Sequence, residues 1–204
     1  GMVVLPAEKI HEKALLESDG YGSGQVDKYE ISGLGNAGVY HATMLLPVSG
    51  HVGVENAKKL LSDFPQELIL HNILGVSQEA QKKFREAAES YRNALKIQPQ
   101  FAEMQFNLGS ALYQLGDSQG AIQHYQKAIQ IKPDLVVAYF NLGITYQDEL
   151  QFDKALSAYE KAIELEPGFY EAYGNMGAVY LLQGNFDQAI QSFQQSLSIQ
   201  DHSR

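Results

Sequence analysis

The sequence predicts an all-α array of stacked helical repeats, on three observations. Pro65, Pro99, Pro133 and Pro167 stand 34 residues apart. Gly75, Gly109, Gly143 and Gly177 keep the same step, as do Ala87, Ala121, Ala155 and Ala189 and the rings Tyr91, Tyr125, Tyr159 and Phe193. Between these markers apolar residues recur three or four apart, the spacing of an amphipathic helix. Self-similarity at a fixed period marks a repeat architecture, in which neighbouring units bury one continuous core.

The first segment, 1–33, opens with Gly1 ahead of Met2, which reads as an expression remnant. PAEKIHEKALLES then reads as one short helix. Residues 18–53 hold eight glycines, which favours loop over long regular structure. The next segment, 34–67, reads as a cryptic or half repeat. ENAKKLLSDFP places Ala57, Leu60 and Pro65 where a repeat's second helix would have them, predicting a helix over 54–63. NAGVYHATMLL would be the first helix, with the loop after it lengthened by Pro47 and Gly50.

Four units follow, 68–101, 102–135, 136–169 and 170–204, numbered so that the recurring glycine is position 8 of each. Each holds two helices; in the second unit these are AEMQFNLGSALYQL and QGAIQHYQKAIQI, with Gly116 and Asp117 making the turn. Glycine at position 8 and alanine at position 20 let two helix backbones approach, and the ring at position 24 fills the space beside them. Proline at position 32 lacks an amide hydrogen and biases its predecessor away from helix, so the second helix stops there. After the fourth unit Asp201 stands where a proline is due, and no further helix covers Ile190, Phe193 and Leu197. The last helix is rich in glutamine and serine, a partial polar cap; where that cap is insufficient, the expectation is self-association through this end or continuation of the array into further sequence.

This pattern resembles the tetratricopeptide repeat over residues 68–203. The matching residues are Leu108, Gly109, Leu112, Ala121, Tyr125, Ala128 and Pro133 in the second unit, and Leu142, Gly143, Tyr146, Ala155, Tyr159, Ala162 and Pro167 in the third. The resemblance implies a right-handed superhelical array of helix-turn-helix repeats, preceded here by a glycine-rich extension. The chain departs from the family pattern at position 4, usually tryptophan, where it has His71, Gln105, Tyr139 and Tyr173, and in the first unit at Gln78 and Lys82.

Composition excludes several functions. A net charge of −9 opposes nucleic-acid binding, which needs a basic stripe to meet phosphates. Apolar runs such as AGVYHATMLLPV are too short and mixed to span a bilayer, and no signal-peptide order opens the chain, so no membrane contact and a cytoplasmic location are the expectations. Without cysteine there is no disulfide or thiol chemistry, and the six histidines lack paired-ligand spacing, so no metal or other cofactor is expected. His71 reads as a packed interior histidine. No serine has a nucleophile-elbow context and no acid and base are placed together, so no catalytic residue is assigned. Gly33, Gly35 and Gly38 spell G-x-G-x-x-G after the strand-like KYEIS, but a dinucleotide site needs several parallel strands and the chain commits to helices by residue 54, so the motif reads as a connector.

Function is then expected in the face that the resemblance assigns to a concave groove, positions 2, 5, 6, 9, 12 and 13 of each first helix. Position 6 is Asn107, Asn141 and Asn175, a ladder of amides able to pair with the backbone of an extended peptide, as in the O-linked sugar transferases whose arrays this one resembles. Around it the groove positions hold Glu103, Phe106, Ser110, Tyr113, Phe140, Ile144, Gln147, Asp148 and Glu171, and Glu79 in the first unit. The first-helix segments contain no lysine or arginine, which rules out a clamp on a terminal carboxylate and favours an apolar or basic segment of another protein. The expectation is a non-enzymatic protein-interaction scaffold. The alternative is the targeting arm of a larger glycosyltransferase, sulfotransferase or methyltransferase.

Overall fold

The computed structural model describes residues 26–35, 38–47 and 51–202. The helix expected over residues 6–18 lies outside them. The chain divides into two compact units, residues 1–100 and 101–204.

In the first unit, strands β1 (Val26–Gly35) and β2 (Gly38–Pro47) pair antiparallel, in a register running from Val26 opposite Pro47 to Gly35 opposite Gly38. This corrects two expectations. The glycine-rich stretch is not loop throughout, and the first helix expected from NAGVYHATMLL is strand β2. Val39, Tyr40 and Thr43 are β-formers, and their pairing with Leu34, Gly33 and Glu30 on β1 outweighs a helical spacing that eleven residues carry only weakly. The G-x-G-x-x-G glycines lie in this hairpin: Gly33 and Gly35 are in β1 and Gly38 begins β2, so the last of them leads into a strand and not into the helix N-terminus that a pyrophosphate site needs.

Helix α1 (His51–Asp63) follows, covering the helix expected over 54–63, then α2 (Leu68–Ala80) and α3 (Phe84–Ile97). Val54, Ala57 and Leu60 of α1 pack on Leu70, Ile73 and Leu74 of α2, so α1 meets α2 through the small and aliphatic positions of a second helix. Ala87, Tyr91 and Ala94 of α3 are fully buried. The irregular Gln78 is accommodated by polar pairing: its amide nitrogen faces Ser90 Oγ at 2.7 Å and the Glu86 carbonyl at 3.1 Å. His71 is half-buried, with Nε2 3.0 Å from the Pro65 carbonyl oxygen.

Among its described residues the second unit forms helices joined by turns: α4 (Ala102–Gln114), α5 (Ser118–Ile131), α6 (Val136–Asp148), α7 (Phe152–Leu165), α8 (Tyr170–Leu182) and α9 (Phe186–His202). Each helix packs on the next in sequence, and α4, α6 and α8 are also neighbours. The glycine at position 8 is required by the ring at position 24. A Cβ built on Gly109 would lie 2.8 Å from the Tyr125 ring, one on Gly143 2.5 Å from Tyr159, and one on Gly177 2.8 Å from Phe193.

Position 15 ends the first helix of every repeat in the left-handed region, with φ 59° at Lys82, 81° at Gly116, 56° at Leu150 and 79° at Gly184. Only two of these are glycine, the residue that adopts such angles without penalty. The turn is nonetheless the same in the non-glycine case: Leu150 N–H donates to the Gln147 carbonyl (2.9 Å) and Gln151 N–H to that of Tyr146 (2.8 Å), matching Gly116 to Tyr113 and Asp117 to Leu112. In the second repeat Asp117 also caps α5, accepting from Gly120 N–H at 2.9 Å. At the other end, Lys132 and Glu166 are extended just before Pro133 and Pro167, which stops α5 and α7.

Candidate functional site

Helices α4, α6 and α8 carry the predicted groove residues, and the packing of the rings at position 24 governs how those residues are held. Tyr125 and Tyr159 are buried to 1% and 0% exposure, yet their hydroxyls reach past the glycine at position 8 to the polar residues of the first helices. Tyr125 Oη lies 3.3 Å from Ser110 Oγ, and Tyr159 donates to Gln147 Oε1 at 2.9 Å. Asn175 hydrogen-bonds the Tyr159 hydroxyl from the next repeat. Burial pushes that phenol's pKa up, and the bond from Asn175 opposes the shift. In the first unit Tyr91 likewise donates to Glu79 Oε2 at 3.0 Å, and burial lifts the Glu79 carboxyl above the usual carboxylate range.

A second contact crosses between repeats. Tyr113 of α4 donates to Asp148 Oδ2 of α6 at 2.5 Å, and this bond, with a smaller contribution from burial, pushes the Tyr113 phenol up to about 12.

The ring residues at position 5 face their own repeat's buried tyrosine. Phe106 and Tyr125 have ring centroids 5.7 Å apart, tilted by 39°. Phe140 and Tyr159 are 5.9 Å apart at 51°, and Phe140 also meets Phe169 at 4.7 Å. Both phenylalanines are therefore half-buried, with part of their surface spent on the repeat itself.

The acids are not equivalent. Glu103 is paired with Lys132 at 3.2 Å, both side chains nearly half exposed. A cation absent from the first helices thus arrives from the end of α5, which the first-helix sequences could not show. Asp148 and Glu171 are exposed, the latter hydrogen-bonded to its neighbour Tyr170. Asn141 and Ile144 lie half-buried on α6, and Thr145 Oγ1 donates back to the Asn141 carbonyl at 2.8 Å.

Sequence reasoning missed two features. The tyrosine hydroxyls beneath the groove residues were signalled by tyrosine rather than phenylalanine at position 24 in three repeats. The second is an open cleft of about 600 Å³ lined by Tyr139, Leu142, Tyr146 and Ala158, with Lys154 and Lys161 balanced by Glu160 and Glu164. Its signal was Tyr139, a smaller ring where the repeat usually has tryptophan. Lys154 Nζ lies 5.4 Å from the centre of the Tyr146 ring, a cation–π contact. Among the described residues no group of three or more metal-ligating side chains is assembled, and no helix is long and apolar enough to cross a membrane.

Family models of the tetratricopeptide repeat match residues 74–135 and, one repeat at a time, 136–169 and 170–203. Among solved structures, MamA is similar at 31% identity with a TM-score of 0.71, over 74% of this chain and 88% of MamA. MamA from Desulfovibrio magneticus RS-1 shares the fold at 17% identity and a TM-score of 0.69, over 73% and 84% of the two chains. YrrB, a TPR protein with an unusual peptide-binding site, shares it at 22% identity and a TM-score of 0.64, over 72% and 76%. No curated protein is significantly similar in sequence. The recurring glycine, alanine, ring and proline positions, the helix pairs they build and these matches agree: the chain belongs to the tetratricopeptide repeat family.

Proposed function

We propose that this protein is a non-enzymatic interaction module that binds an extended segment of another protein along the exposed face of α4, α6 and α8. One observation carries the reading: across three successive first helices, amides at position 6 stand beside rings and acids with no lysine or arginine. An extended peptide has unpaired N–H and C=O groups, and the amides of Asn107, Asn141 and Asn175 offer both donors and acceptors to them. The face contains apolar area from Phe106, Phe140 and Ile144, while Asp148 and Glu171 attract a basic segment. The peptide-binding site of YrrB, on the same fold, supports this use of the repeats.

The test is panning of a random peptide library on the chain, with Asn107→Ala, Asn141→Ala, Asn175→Ala as one triple variant. Enriched peptides poor in acids that are lost on the triple variant are the expected result. Peptides indifferent to the triple variant would place binding elsewhere.

A second reading concerns self-association. Phe186, Ile190 and Leu197 of α9 are more than half exposed, at 64%, 55% and 58%. In the third repeat the matching positions 21 and 28 are Leu156 and Ile163, only partly exposed. Such a face supports contact between two copies through α9. Sedimentation equilibrium showing monomer alone at high concentration would eliminate it.

A further inference from the structure

Gly174, at position 5 of the fourth repeat's groove face, has an identity that the packing does not explain. Its neighbour Gly177 is needed, because a Cβ there would lie 2.8 Å from Phe193. A Cβ on Gly174 would meet only Ser196 Oγ, at an ordinary 3.6 Å, and its backbone is helical with no positive φ. Glycine inside a helix costs about 1 kcal/mol relative to alanine. Nothing in the fold repays that cost.

The repeats themselves show what is missing. Gly174 holds position 5, where the second and third repeats have Phe106 and Phe140, each laid against the ring at position 24, with centroids 5.7 and 5.9 Å apart. In the fourth repeat the position-24 ring is Phe193, with no side chain from position 5 beside it. Phe193 is 37% exposed, against 1% for Tyr125 and 0% for Tyr159. Tyr91 is also at 0% although position 5 of its repeat is Asn72, so the exposure of Phe193 goes with its place in the last described helix, and Gly174 leaves open the space beside it. An aromatic ring is thus uncovered beside a space that this chain fills twice over with phenylalanine.

We propose that the slot between Gly174 and Phe193 receives an aromatic side chain from the bound segment, completing in trans the ring pair that the two preceding repeats build in cis. Tilted aromatic pairs at such spacing are favourable beyond their buried area. The residues flanking that ring in the partner are basic: Glu171 stands exposed one turn before Gly174, and neither α8 nor α9 contains a lysine or arginine. This inference rests on the groove reading above and names the residue that anchors the segment at its α8 end.

The experiment is the same panning on the full chain, extended with Gly174→Phe and Gly174→Ala. The expected result is that peptides enriched on the natural chain share one aromatic residue next to lysine or arginine. Gly174→Phe, which fills the slot with the chain's own ring, weakens them at least about tenfold, while Gly174→Ala leaves affinity within about twofold. The chain has no tryptophan, so a tryptophan placed at the shared aromatic position reports binding by its own fluorescence. If Gly174→Phe does not fold by circular dichroism, Gly174→Leu occupies the same space. Enriched peptides with no shared aromatic, or aromatic peptides that bind Gly174→Phe as tightly as the natural chain, overturn the slot and leave the groove standing. No enrichment, or enrichment untouched by the triple asparagine variant, overturns the groove and the slot with it.

Discussion

The Tyr113 hydroxyl donates to the Asp148 carboxylate at 2.5 Å, tying the end of one repeat's first helix to the end of the next. The two side chains are 35 residues apart, one repeat plus one position, so the bond exists only because successive first helices lie side by side. Because a charged acceptor favours the protonated phenol, this bond pushes the Tyr113 hydroxyl up to about 12. Asp148→Ala is expected to bring it back toward about 10, the ordinary tyrosine value. NMR of the Tyr113 ring carbon bearing the hydroxyl, assigned with Tyr113→Phe, reads this directly; an unmoved pKa would show that burial and not Asp148 sets it.

The close approach at position 8 predicts a sharp contrast within one turn of α6. Gly143→Leu must push the Tyr159 ring out of its seat, at a cost of about 3 kcal/mol or more, whereas Gly143→Ala costs about 1–3. Asn141→Ala, on the half-buried side of the same helix, should change stability by about 0.5 kcal/mol or less. Urea melts of the three variants decide this, and equal losses for Gly143→Leu and Asn141→Ala would mean the core and groove faces are exchanged.

Leu150 is strained without compensation. It adopts φ 56° and its side chain is 71% exposed, so it spends conformational energy and gains almost no packing. Gly116 and Gly184 hold the same position in other repeats. Leu150→Gly is expected to raise stability by about 1 kcal/mol. A thermal melt lower than that of the natural chain would show that the exposed leucine makes contacts that outweigh its backbone.

Burial lifts the Glu79 carboxyl, and the bond from Tyr91 only partly offsets it. A carboxyl with a raised pKa binds its proton more tightly folded than unfolded, so its contribution is favourable below the ordinary carboxylate range and is lost as pH rises through the raised value. Glu79→Gln keeps an acceptor for Tyr91 and removes the charge. The variant should melt higher than the natural chain at neutral pH, with the difference shrinking toward about pH 4. A difference that does not vary with pH would trace it to packing.

How much was legible can be argued residue by residue. The helix pairs, the turn at Gly116 and Asp117 and the stops before Pro133 and Pro167 could be read directly, because each depends on local spacing and backbone chemistry repeated in register. The hairpin could not. Residues 38–47 have a spacing that suits a short helix, and their pairing with 26–35 is a nonlocal choice. The candidate groove was legible as a set of residue types at fixed positions. Which of them touch was not: Glu103 meets Lys132, Gln147 meets Tyr159, and Phe106 lies on Tyr125.

The sequence by itself determined the repeat, since a 34-residue period of glycine, alanine, ring and proline sets the same small and large residues at the same helix positions in every unit, and its resemblance to the tetratricopeptide repeat is matched by the family models. Tertiary structure decided the state of each groove residue. Periodicity places residues on a face, but whether a side chain there is free, paired or half-buried depends on neighbours brought close by stacking. Phe140 is half-buried against Tyr159 because a ring faces it; Phe193, in the last described helix and beside Gly174, is partly uncovered.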